Sequence, residues 1–176
     1  MESREKLAEH FAELEFMTGV EIGVEQGIYS EVLCKANPNL KLYCIDAWRA
    51  YRGYRDHTNQ DKLNRYYEET KERLTPYNCE IIRDWSMEAV KRFKDESLDF
   101  VYIDGNHDFK NVTDDIAEWS KKVRSGGIVA GHDYVPYRSS ITCHVVPVVD
   151  TWTMVHKIAP VFITKDQFPS WYWIKR

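Results

Sequence analysis

The chain has 176 residues, 43% hydrophobic and 30% charged, with 6 Trp, 11 Tyr and 7 Phe, enough apolar material for one folded domain and too little length for two large ones. A net charge of −4 offers no general basic surface to nucleic acid, and no apolar run approaches the ~18 residues of a membrane-spanning helix. Cys34, Cys44, Cys79 and Cys143 are spread without a C-x-x-C pair, which predicts neither a zinc site nor a disulfide framework and points to a reducing, cytoplasmic setting.

In chain order, Leu7, Phe11 and Leu14 recur at helical spacing among charges, which predicts an amphipathic helix within residues 1–16, packed on the domain. Val20–Gly23 reads as a strand ending in a glycine loop, and Ile28–Ala36 as a helix stopped by Asn37-Pro38. The alternation repeats with a strand over Lys41–Ile45, a helix over Gln60–Leu74, a strand over Cys79–Ile82, a helix over Ser86–Phe93 and a strand over Leu98–Ile103. The next helix carries Phe109, Val112, Ile116 and Trp119 on one face and is predicted to stop at Gly126-Gly127. Ile128–Gly131 is the fifth strand, Val145–His156 a helix, and Val161–Thr164 and Trp171–Ile174 the last two strands. Strands alternating with helices pair in parallel, whereas two strands joined by a short turn pair antiparallel. The expected fold is a single α/β, Rossmann-like domain over residues 1–176. Its open, mostly parallel seven-stranded sheet has the last strand antiparallel and helices on both faces. Ligands of such sheets bind beyond the carboxyl ends of the strands.

After the first strand stands Glu21-Ile22-Gly23-Val24-Glu25-Gln26-Gly27, two glycines on a strand-to-helix turn where a ligand can approach the backbone. Asp46 follows the second strand, where a carboxylate can accept both hydroxyls of a ribose. The pairing indicates a nucleoside. Glu21 and Glu25 repel a diphosphate but suit S-adenosylmethionine, which carries a ribose diol, an ammonium group and a sulfonium cation.

The runs Val20–Gly27 and Leu42-Tyr43-Cys44-Ile45-Asp46-Ala47-Trp48 resemble the first two cofactor motifs of class I S-adenosylmethionine-dependent methyltransferases. Ser97–His107 and Ser125–Tyr134 resemble the fourth and fifth strand motifs of the small O-methyltransferase branch, which includes sugar and, more distantly, catechol-type enzymes. The resemblance runs from about residue 18 to 174 and departs at Glu25, where many members have glycine. It implies that Glu21 and Gly23, in a loop completed by Val24 and Gly27, lie near the methionine moiety. Asp46 falls on the ribose, Trp48 borders the adenine, Ser86 contacts the adenine edge, and Asp104 adjoins the cofactor. As structural readings, Trp48 and Trp85 are core packing at the sheet edge.

The ends of the fourth and fifth strands present Asp104, His107 and Asp108 beside His132 and Asp133. The resemblance implies that Asp104 and Asp133 hold a divalent cation, Mg²⁺ or Mn²⁺, that binds the acceptor's hydroxyl. The third ligand stays open, because His132 stands where some sugar-modifying members have Asp and Tyr134 where the catechol type has Asn. An imidazole ligand shifts the preference from magnesium toward manganese, iron or zinc. A histidine near pKa ~6.5 facing a phenol near ~10 must cover about 5 kcal/mol, and a sugar hydroxyl demands more. Metal coordination, which lowers the pKa of bound water from ~15.7 to ~7, removes that gap. Asp104, His107 and His132 are thus the candidate catalytic residues, against structural readings of His107 as a helix cap and His132 as a core histidine.

The expected activity is O-methylation of a small hydroxylated acceptor such as a sugar or phenol, with no nucleic-acid or membrane partner. Residues 48–55 and Tyr134–Ser140, rich in Tyr and Arg, form the expected acceptor rim, and the site is either small and open or completed by a second copy in a homo-oligomer. Two other readings stand beside it. Gly105-Asn106-His107-Asp108 reproduces the G-N-H-D signature of metallophosphoesterases, although the upstream two-metal motifs are missing. A non-catalytic nucleotide-binding protein on the same fold is the other.

Overall fold

Parallel pairing brings together strands that are far apart in sequence: β1 (Thr18–Ile22) lies between β2 (Lys41–Asp46) and β4 (Leu98–Ile103). The computed structural model describes residues 1–51, 59–136 and 143–176; His57 and the rim residues 52–55, Tyr137 and Arg138 lie outside them. β3 (Cys79–Arg83) adds to β2, and β5 (Val123–Gly131) to β4, both in parallel. β7 (Trp171–Ile174) pairs antiparallel with β5, and β6 (Phe162–Ile163) antiparallel with β7. The sheet order is β3-β2-β1-β4-β5-β7-β6, so among the described strands β7 alone runs against the rest, as the sequence predicts.

Alternation along the strands feeds two apolar layers. Val20, Ile22, Val101 and Ile103 join the layer that includes Val112, Ile116 and Trp119 of α5 (Phe109–Lys122) and Val145, Val148 and Val149 of α6 (Val145–Val155). Leu42, Cys44, Phe100 and Tyr102 face the opposite layer, built with α1 (Arg4–Glu13), α2 (Ile28–Ala36) and α3 (Gln60–Leu74). α1 packs through Leu7, Ala8 and Phe11, the last stacked on Phe100 at 4.3 Å between centroids. Gly19 is what lets Phe100 lie there, because a Cβ at Gly19 would come within 2.2 Å of that ring. Leu14 is 42% exposed and Phe109 57% exposed, so each leaves the apolar face to which its spacing assigns it.

Two further expectations are corrected. α5 ends at Lys122, before the glycine pair, and Gly126 and Gly127 lie inside β5. The β4–β5 register passes from Leu98↔Val123 to Phe100↔Ile128, so residues 124–127 bulge opposite Asp99, with Gly126 at φ 77°. The predicted helix over residues 86–93 is a short α4 (Ser86–Ala89) followed by a 3₁₀ turn, Val90–Arg92. Among the described residues no helix is long and apolar enough to cross a membrane.

Candidate functional site

The chain order reverses between β1 and β4, and at the carboxyl end of that junction the backbone opens into a cleft of about 450 Å³, a size that suits a small organic ligand. Gly23 and Asp104 form its floor: Asp104 N–H donates to the Ile22 carbonyl at 2.8 Å and Gly23 N–H to the Ile45 carbonyl at 2.9 Å. A Cβ at Gly23 would stand 2.1 Å from the Asp104 carbonyl oxygen, and its φ of 85° is one that side chains avoid. The first glycine of the loop is thus dictated by close strand-to-strand approach.

Asp46 lines one end of the cleft. Its carboxylate accepts from the backbone N–H groups of Trp48 at 2.8 Å and Glu25 at 3.0 Å, which fix its direction. Glu25 at φ 51° and Trp48 at φ 40° are left-handed non-glycine residues, a conformation that persists only where neighbours enforce it. The Trp48 indole N–H, donating to the Glu25 carbonyl at 2.7 Å, is part of that enforcement.

Trp48 does not border the cleft. Its side chain is fully buried against Tyr67, and the tryptophan that lines the cleft is Trp85, 37% exposed and set edge-on to Tyr51 at 5.1 Å. Glu21 points to the opposite face of β1, where it accepts a hydrogen bond from Ser30 of α2. Burial pushes its carboxyl up to about 8, against the lowering effect of that bond. Val24 packs in the core beside α2, and Gly27 at φ 73° caps the start of that helix. Of the predicted cofactor residues, Gly23, Asp46, Ser86 and Asp104 line the cleft, while Glu21, Val24, Gly27 and Trp48 do not.

One contributor, Asp115, is not among the sequence candidates, and another, Tyr51, is expected from the sequence only as part of the acceptor rim. Ser86 receives the Trp119 indole N–H at 2.8 Å and donates to Asp115. Asp115 is buried, and burial raises its carboxyl to about 7. The signal was present in the sequence: Asp115 stands between Val112 and Trp119 on the apolar face of α5, where a carboxyl is out of place. Tyr51, one of the expected rim residues, lines the cleft and accepts from Asn106 Nδ2 at 2.8 Å.

At the other end, β4 and β5 bring together Asp104, His107, His132 and Asp133. His107 Nε2 lies 3.4 Å from Asp104 Oδ1 and 3.3 Å from Asp133 Oδ2, and His132 Nδ1 lies 3.6 Å from an oxygen of each carboxylate. Burial alone would lower both imidazoles, but the carboxylates outweigh it, raising His107 and taking His132 to about 10. Burial alone would raise Asp104, yet its bonds to His107 and His132 hold it below the usual range. Asp133 sits at φ 55°. Only Asp104 and His107 of the four line the cleft; His132 and Asp133 stand behind them.

The cluster fits a divalent cation on its donor chemistry. Ligand atoms of Asp104, His107 and Asp133 lie within 4.8 Å of one another, and His107 Nε2, though close to both carboxylates, is buried with no well-aligned hydrogen bond to either. The helix-cap reading of His107 is not met, because Asp108 caps α5 by accepting from Asn111 N–H at 2.8 Å. Asn106 accepts from Asp108 N–H at 2.9 Å, so the G-N-H-D run is accounted for largely by turn and cap chemistry.

A parallel sheet with a nucleoside-sized cleft at its reversal point, an acidic residue ending β2 and an acid–histidine cluster at the ends of β4 and β5 defines a domain of the class I methyltransferase type. Residues 20–134 match the family model described as "Methyltransferase domain", and the chain belongs to that family. Among curated proteins none matches the sequence. The fold is shared with a Staphylococcus aureus protein provisionally described as a caffeoyl-CoA O-methyltransferase, with TM-score 0.71 and 12% identity over 97% of this chain and 81% of that one. It is shared with an O-methyltransferase from Bacillus cereus solved with S-adenosylhomocysteine, with TM-score 0.67 and 13% identity over 98% and 80%. The Streptomyces achromogenes O-methyltransferase TomG, solved with S-adenosylmethionine, gives TM-score 0.66 and 16% identity over 98% and 80%.

Proposed function

We propose that the chain transfers a methyl group from S-adenosylmethionine to a hydroxyl of a small acceptor, such as a sugar or a phenol, with a divalent cation at the Asp104 cluster. The observation that carries this reading is the continuity of one cleft from Asp46 to Asp104 and His107, which puts a ribose-binding carboxylate and an acid–base cluster on the same ligand. The structural relatives crystallised with S-adenosylmethionine or S-adenosylhomocysteine support the cofactor.

In this reading Asp46 accepts from the two ribose hydroxyls, and Trp85 and Tyr51 offer the adenine an aromatic wall in place of Trp48. The Gly23 backbone lets the methionine end approach the floor beside Asp104. Asp104, His107 and Asp133 would hold Mg²⁺ or Mn²⁺, with the imidazole favouring the latter. The cation, when bound, supplies Lewis acidity to the acceptor hydroxyl. His132, touching both carboxylates from behind, is a positioning residue, and His107 is the imidazole that faces the acceptor's side of the cleft. Methyl transfer is an in-line displacement, so the cleft contributes chiefly by holding nucleophile and methyl group in register.

The test is ligand binding. S-adenosylhomocysteine at about 100 times its dissociation constant is expected to stabilise the fold by about 2.7 kcal/mol, a shift of several degrees in Tm, and NAD is expected to do nothing. Asp46→Ala is expected to weaken that binding about 10-fold to 100-fold, the loss of a charge-assisted hydrogen-bond pair. Calorimetric titration showing NAD binding and none of S-adenosylhomocysteine would overturn the reading.

A further inference from the structure

Three of the four cysteines that the sequence scatters meet in space, on the side of the sheet opposite α5 and α6. Cys34 is buried on α2, Cys44 is buried in β2, and Cys79 is half-buried at the start of the edge strand β3; all are free thiols. Cys34 Sγ lies 3.4 Å from Cys79 Sγ, and Cys44 is close enough to Cys79 to act on it electrostatically. We propose that Cys34 and Cys79 are a peroxide-oxidisable dithiol that closes to an intramolecular disulfide, a modification site separate from the methyl-transfer cleft.

The roles of the two sulfurs follow from their surroundings. As a thiolate Cys79 would accept from Cys34, 3.4 Å away, and this contact, with Cys44 and Lys41 nearby, holds its thiol well below the usual range despite partial burial. Donation to Cys79, followed by burial, pushes Cys34 up. Cys79, on an edge strand and only half covered, is therefore the thiolate that meets the oxidant, and Cys34 the resolving thiol. The Cys79 sulfur attacks one oxygen of hydrogen peroxide and the O–O bond breaks. Hydroxide leaves, takes up a proton to become water, and Cys79 becomes a sulfenic acid. The Cys34 thiol then gives up its proton, its sulfur attacks the Cys79 sulfur, and the S–O bond breaks as hydroxide departs with that proton as water. Two thiols and one peroxide yield one disulfide and two waters.

A soft-metal site is the competing use of three thiols. Among the described residues, however, the one group of three ligand atoms within 4.8 Å of one another is Asp104, His107 and Asp133, so the sulfurs favour pairwise chemistry. The pair also lies away from the cleft. Cys79 begins β3 while Asp84 to Met87 line the cleft after its end, and Cys34 is near the end of α2 while the glycine loop precedes its start.

The test uses the full chain, reduced and then exposed to about one equivalent of hydrogen peroxide, followed by alkylation and peptide mass mapping. The expected result is loss of two alkylatable thiols of the four and an intramolecular Cys34–Cys79 linkage at every protein dilution. Tm should rise by several degrees, because the bond closes a long loop, and dithiothreitol should reverse all of this. Cys34→Ser is expected to accumulate a dimedone-reactive sulfenic acid at Cys79, and Cys79→Ser to lose the rapid reaction. S-adenosylhomocysteine binding should be equal in reduced and oxidised protein. Four alkylatable thiols after peroxide, or a linkage mapped to another pair or between chains, overturns the proposal.

Discussion

Asp133→Asn is expected to lower methyl transfer by about 10²-fold or more, equivalent to several kcal/mol of lost stabilisation at the reacting oxygen, while S-adenosylhomocysteine affinity is little changed. Asparagine is the informative replacement because position 133 has φ 55°, which Asn and Asp tolerate better than other side chains do; the backbone survives and the charge does not. The separation of effects follows from the cleft. Asp133 reaches His107 Nε2 at 3.3 Å, whereas Asp46, the carboxylate proposed for the ribose, ends β2, three places from β5 beyond β4 and β1. EDTA is expected to reproduce the variant's loss, and added Mn²⁺ or Mg²⁺ to restore the wild type alone. Turnover with an acceptor panel and labelled cofactor is the measurement. Full activity in EDTA would retire the cation and leave His107 as the proton acceptor, in which case His107→Ala should cost about 10²-fold to 10⁴-fold.

Much of this arrangement could be read before the structure, for reasons that are local. Ile28–Ala36, Gln60–Leu74, Leu98–Ile103 and Trp171–Ile174 fall where apolar periodicity and breakers put them, because each buries a continuous face bounded by Pro, Gly or a polar cap. The β5 start was not legible: Gly126-Gly127 reads as a helix stop, yet the glycines serve a bulge, and a Cβ at Gly127 would come within 2.4 Å of the Asp99 carbonyl. At the cleft, strand-end logic anticipated the placement of Asp46 and Asp104 in its lining and of Asp133 beside His107, which depends only on where each strand stops. It did not anticipate that Glu21 and Trp48 lie outside the cleft lining, which depends on the direction in which each side chain leaves its backbone. A strand alternates faces at every residue, and Glu21, flanked by Val20 and Ile22 in the layer beneath α5, had to emerge on the other side. The thiol cluster was illegible because it joins three elements whose adjacency only the sheet order reveals.

Glu21→Gln is expected to stabilise the protein progressively as pH rises, and this follows from that emergence. The carboxyl is enclosed between β1 and α2 with Ser30 as its hydrogen-bond partner, and burial first, with Asp104 adding to it, raises it to about 8 against a reference of 4.5. Between those two values the folded chain keeps a proton that the unfolded chain has already released. Stability therefore falls as pH rises from about 4.5 to about 8 and levels off above, by about 5 kcal/mol at most from this group. Glutamine preserves the volume and the acceptor for Ser30 but has no proton to lose, so the variant lacks this slope. Asp115, raised to about 7 by burial, contributes a similar fall that ends at lower pH, and because it is present in both proteins it cancels in their difference. Urea unfolding at intervals from pH 5 to 9 is the measurement. The variant-minus-wild-type stability should be near zero at the acid end and reach a few kcal/mol in favour of the variant above pH 8. A difference that stays constant across the range would mean that Glu21 is ionised within the fold at neutral pH and is balanced by a cation, with Arg4, whose charge opposes the upward shift, the first to substitute in search of it.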